Sequence, residues 1–124
     1  MNIGLKLFNE DKTFFSRFRS HVDFFEVMAF PRYHYDFLKN QDVPFVVHAP
    51  ILKHGTNLAN PKRKEDNLMN IKHAIDVADN IEAAQIIVHP EIQEHDRCST
   101  KNIISLLKEI GDKRKIQIGS AMRA

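Results

Sequence analysis

Two stretches and the segment joining them decide how this chain reads: "VPFVVHAP" (43–50), "KEDNLMNIKHAIDVADNIEA" (64–83) and "AQIIVHPEI" (84–92). The first and last carry apolar residues on consecutive positions, unlike the alternation of a half-exposed strand. Such runs read as strands covered on both faces. In the middle segment Leu68, Ile71, Ile75, Ala78 and Ile81 fall at spacings of three and four, with Lys and Asp opposite. This spacing predicts a long surface helix with one buried stripe. Two doubly covered strands joined by a helix make a parallel βαβ unit, and its connection is right-handed.

The same unit repeats outward. "NIGLKLF" (2–8) reads as a first strand, and residues 9–20 as a short amphipathic helix with Phe14, Phe15 and Phe18 at helical spacing. "VDFFEVMAF" (22–30) is a second strand stopped by Pro31, and "YHYDFLKNQ" (33–41) a weak helix or single turn. Residues 51–63 form a polar loop punctuated by Gly and Pro. "STKNIISLLKEIGDK" (99–113) is a helix with Ile103, Leu106, Leu107 and Ile110 on one face, Ser99 or Thr100 to cap it and Gly111 to end it. "RKIQIGSAMRA" (114–124) opens as a fifth strand. The expected order is β-α-β-(α)-β-α-β-α-β, a single α/β domain over residues 1–124 with no separate linker.

Both decisive strands end in an imidazole, His48 before "AP" and His89 before Pro90. In parallel α/β sheets the functional groups collect at the carboxyl edge of the strands. Side chains alternate along a strand, so His48 shares a face with Val46 and His89 with Ile87. If the two strands are neighbours, both rings can point into one cavity. Paired neutral imidazoles are natural ligands for a borderline divalent metal such as zinc or manganese, and a carboxylate commonly completes the set.

Composition bounds the rest. The 124 residues carry a formal charge of +2 and 43% hydrophobic content, ordinary for one globular unit and too balanced to imply nucleic acid or membrane by charge alone. Cys98 is the single cysteine, which excludes an intrachain disulfide and fits a reducing compartment. No apolar run approaches the roughly 18 residues of a membrane span, and residues 1–11 do not read as a signal peptide. A cytoplasmic protein is the default expectation.

The stretch from "VVHAP" to "IIVHP" resembles the N-terminal half of the xylose-isomerase-like TIM barrels, a superfamily of sugar and sugar-phosphate isomerases and epimerases that also includes type 2 apurinic endonucleases. The matching pattern is a strand ending in His, a loop with "NL" and a Pro, a long helix opening on a basic and acidic run, then a strand ending "HP". The resemblance implies that His48 and His89 are metal ligands and that Glu26 lines the substrate cavity. Asn57, His54 and Lys53 are candidate substrate contacts, and Glu26 or Glu91 a candidate proton shuttle.

Two departures stand out. Where the family's fifth strand ends in a metal-binding Glu, this chain has Gly119 and Ser120, with Gln117 before them. A TIM barrel takes about 250 residues and eight strands, and this chain supplies five. The expectation is an incomplete half-barrel whose open edges favour a homo-oligomer. Three functions remain open: conversion of a small sugar or sugar phosphate, metal-dependent cleavage of DNA at an abasic site, or a non-catalytic remnant that binds metal or sugar phosphate.

Overall fold

The computed structural model describes residues 2–50, 56–89, 99–111 and 115–118. Lys53, His54, Glu91, Cys98, Gly119 and Ser120 lie outside the described residues. Five parallel strands form one sheet in the order of the chain: β1 Gly4–Leu7, β2 Phe24–Met28, β3 Phe45–His48, β4 Gln85–Val88 and β5 Lys115–Ile118. The helices are α1 Lys12–Phe18, α2 Lys64–Ile81 and α3 Thr100–Ile110. Strictly sequential order with crossovers of one hand keeps every helix on one side of the sheet. This is the winding of a barrel wall, where a doubly wound sheet would reverse direction midway. The expected α/β half-barrel of five strands is what the chain forms.

Alternation divides each strand between two faces. Toward the helices point Leu7, Phe25, Val27, Phe45, Val47, Ile86 and Val88, all at most 5% exposed. Phe15 of α1 joins them, its ring 5.0 Å from that of Phe25 and 6.0 Å from that of Phe45. Burying a side chain of this size stabilises by about 2–3 kcal/mol. It holds a seven-residue helix that would not persist alone. Asp11 assists by accepting the Phe14 N–H at 2.9 Å, an N-cap bond. Gly111 ends α3 in the left-handed region at φ +66°, as the sequence predicts.

The segment 33–41 takes the single-turn form of its two expected shapes, one 3₁₀ turn at Asp36–Leu38. Buried Tyr35 fixes the chain there, its hydroxyl donating to the Met28 carbonyl, and desolvation pushes its pKa up to about 12. The buried stripe of α2 is turned from the predicted one: Asn67, Asn70, Ile71, Ala74, Val77, Ala78 and Ile81 face inward, and Leu68 and Ile75 are only partly covered. The last part of the 51–63 loop is packed and not merely polar, because those two asparagines bind it. Asn67 accepts the Asn57 N–H and donates to the Asn57 carbonyl, each at 2.8 Å. Asn70 donates to the Thr56 hydroxyl at 2.8 Å.

Ser99 occupies the N-cap of α3 without a side-chain capping bond; its backbone N–H donates instead to the Ala59 carbonyl at 3.0 Å. Asn102 donates to the same carbonyl at 2.9 Å. The loop after β3 is thereby tied to both α2 and α3. Among the described residues no helix is long and apolar enough to cross a membrane.

Candidate functional site

The other face of the sheet is concave and chemically different. Parallel pairing sets Lys6 beside Glu26, Glu26 beside Val46 and Val46 beside Gln85. One step toward the carboxyl edge, Met28, His48 and Ile87 lie abreast. His89 follows Ile87 by two residues and so returns to this face. The His48 and His89 rings stack, with centroids 4.5 Å apart and planes inclined by 27°. The two imidazoles, expected from the sequence to point the same way, meet on one face of the sheet.

Backbone bonds fix His48 closely. Its carbonyl accepts the Ala29 N–H and the next N–H, of Ala49, donates to the Ile87 carbonyl, both at 2.9 Å. Its Nδ1 lies 2.7 Å from the Ala49 carbonyl oxygen. A carbonyl only accepts, so Nδ1 carries the proton and Nε2 presents its lone pair in the neutral ring. Desolvation at 5% exposure holds the His48 pKa below the usual imidazole range, and the neighbouring His89 lowers it further. The Ala49 bond and the Glu26 charge oppose this shift without reversing it. His48 is neutral near pH 7. Glu26, half-buried, holds Oε1 4.0 Å from His48 Nε2, beyond direct hydrogen-bond reach.

The structure thus brings together Glu26, His48 and His89. Asn57 has another part: it is fully buried, its backbone bound by Asn67 and its Oδ1 accepting the Ala59 N–H at 3.2 Å, so it shapes the loop from within. Lys53, His54 and Glu91 lie outside the described residues. Lys6 was missed by the sequence reading, although a charge between Leu5 and Leu7 in "GLKLF" signals a side chain on the face opposite the core.

As metal donors, the two rings fit in kind: His48 shows the tautomer that leaves Nε2 open, with Nδ1 held by a carbonyl as metal-binding imidazoles commonly are. They fit as two ligands only, because among the described residues no group of three or more His, Cys, Asp and Glu side chains is placed to hold a metal ion. A separate cavity of about 90 Å³ lies between α2 and α3, lined in part by Asn60, Asn67 and Asn102 and flanked by the 3.1 Å Lys64–Glu109 ion pair. It contains none of the concave-face residues.

No family model matches the chain, and no curated protein matches it. Among solved structures, the crystal structure of a D-tagatose 3-epimerase-like protein matches with a TM-score of 0.67 and 23% identity, over 96% of this chain and 52% of that one. The chain spans about half the length of that structure. At this identity the likeness is one of fold, and it agrees with the wall of a TIM-type barrel built from sequential βα units.

Proposed function

We propose that the concave face is the imidazole-bearing part of a sugar-converting site of the isomerase or epimerase type, acting on a small sugar or sugar phosphate. The observation that carries this reading is the His48–His89 stack beside the Glu26 carboxylate at the carboxyl edge of adjacent parallel strands. The fold shared with an epimerase-like protein supports it.

In this reading His48 and His89 hold a divalent ion, zinc or manganese. Such an ion supplies positive charge at a sugar carbonyl or hydroxyl oxygen. Glu26 takes the proton from the carbon beside the carbonyl and returns it to the neighbouring carbon on the same face, the aldose–ketose shift that one base can complete. Half-burial still leaves the Glu26 carboxyl in contact with water, so the proton it carries exchanges with solvent. Val46 and Ile87, half-covered on the same face, offer an apolar floor for the sugar's C–H groups. Among the described residues β1 and β5 are the edges of the sheet, and our reading includes a second copy covering them.

The test is solvent exchange. With manganese or zinc present, ketoses or their phosphates in D2O take up deuterium at the carbon beside the carbonyl. Glu26→Gln slows this by roughly 10²- to 10⁴-fold. Absence of exchange with both neutral and phosphorylated ketoses contradicts the proposal, and cleavage of an abasic-site duplex in its place favours the phosphodiesterase reading.

A further inference from the structure

Lys6, on the concave face, has a charge that the proposed chemistry does not use. Lys6 lies in β1 between Leu5 and Leu7, both of which pack toward the helices, so its side chain belongs to the opposite face. Its pairing partner across the ladder is Glu26. Neighbouring strands lie about 4.8 Å apart, which puts the Lys6 backbone one strand away from the proposed proton shuttle. Lys6 is exposed, and among the described residues no carboxylate lies within ion-pair distance of its ammonium. The protein's own nearby carboxylate approaches His48.

An ammonium on this face, with apolar Phe24, Val46, Met28 and Ile87 beside its few polar groups, is tolerable while water reaches it. A substrate seated on the imidazole pair removes some of that water. A charge losing solvent is destabilising unless an opposite charge replaces the water. A neutral sugar supplies only hydroxyl groups; a phosphorylated sugar supplies the missing anion. Lysine on a flexible four-carbon stem meets phosphate as a mobile point charge, which suits it to a group carried at the end of a sugar chain.

We infer that Lys6 is a specificity-determining residue of this face, selecting a phosphorylated sugar over its neutral counterpart by meeting the phosphate beside Glu26 and His48. The inference deepens the sugar-site reading above and depends on it. Lysines also guard the open edges of sheets against pairing, and β1 is such an edge. That role involves no preference among ligands, so the two separate cleanly.

The experiment is calorimetric titration of the full chain with D-fructose 6-phosphate and with D-fructose. The unmodified protein binds the phosphate ester more tightly by roughly tenfold or more, the worth of one charge-assisted contact. Lys6→Gln brings the ratio of the two affinities toward one, and Lys6→Arg keeps most of it. A ratio already near one in the unmodified protein, or a ratio that survives Lys6→Gln, overturns this inference and leaves the sugar site standing. Binding of neither sugar overturns both.

Discussion

The two faces of one sheet, built from alternate residues of the same strands β1 to β4, follow opposite rules. On the helix side Phe25, Val27, Val47 and Ile86 are sealed at 0% exposure. On the concave side the intervening positions are Lys6, Phe24, Glu26, Val46, His48, Gln85 and His89, of mixed polarity and mostly half-covered. The helix side resembles any interior in tolerating only apolar groups of fitting volume. The concave side keeps a carboxylate, a lysine and two imidazoles, none of which contributes to stability as an apolar group would. Their shared location points to chemistry as the reason for them. A period-two pattern lets one strand serve both ends: odd positions in β3 hold the fold, and even positions carry the site.

The sharpest way to break this comparison uses adjacent phenylalanines of β2. Phe25→Ala removes a fully buried ring that touches Phe15 and Phe45, and urea unfolding should show a loss of about 3–5 kcal/mol. Phe24→Ala, one residue away on the concave side, should cost distinctly less. Its half-covered ring lies over Gly4, where an added Cβ would come within 2.2 Å of it. Equal losses from the two variants would erase the division between faces.

A second variant tests the polar fastening of the loop that leaves the site-bearing strand. Asn67→Ala strands the backbone N–H and carbonyl of Asn57 in a buried place, at a cost of about 1–3 kcal/mol per unsatisfied group. Denaturant melts measure the loss, and a change below about 0.5 kcal/mol, the size of an ordinary surface substitution, would mean that water replaces both bonds.

The smallest expected effect concerns acid. His48 has a folded pKa below its ordinary value of 6.5, so below that pH the unfolded chain takes up a proton that the folded chain resists. The unfolded state then binds more protons, and stability falls as pH drops from 6.5 toward the lower folded pKa; above 6.5 both states are neutral and the term vanishes. Urea titrations at pH 7.5 and 5.5 should show this loss, reduced in His48→Gln. Because the group is on the concave side, the effect would mark that face as the one that responds to protons.

Much of this was legible in the sequence because hydrophobic spacing is strong evidence for strands and long helices. The five strands, the three helices, and the shared face of His48 and His89 follow from alternation and from consecutive apolar runs. Side-chain partners across the fold were not legible. Asn67 and Asn70 carry no apolar signal that would place them in the buried stripe of α2, and only the returning loop explains why asparagine belongs there. Asn57, expected as a substrate contact, is buried in the loop's own hydrogen bonds for the same reason. The single turn at Asp36–Leu38 depends on Tyr35 reaching back to Met28, a contact that no local pattern encodes. Lys6 was overlooked because a lysine in an edge strand passes for a solubilising residue until its ladder partner, Glu26, is known.

The account rests most directly on the two imidazoles acting as one pair of donors. Titration of the purified chain with zinc, read by calorimetry and by metal content after dialysis, tests this. One site per chain, lost in His48→Ala and also in His89→Ala, is the predicted result. Zinc uptake that neither substitution weakens, or no uptake at all, would contradict it.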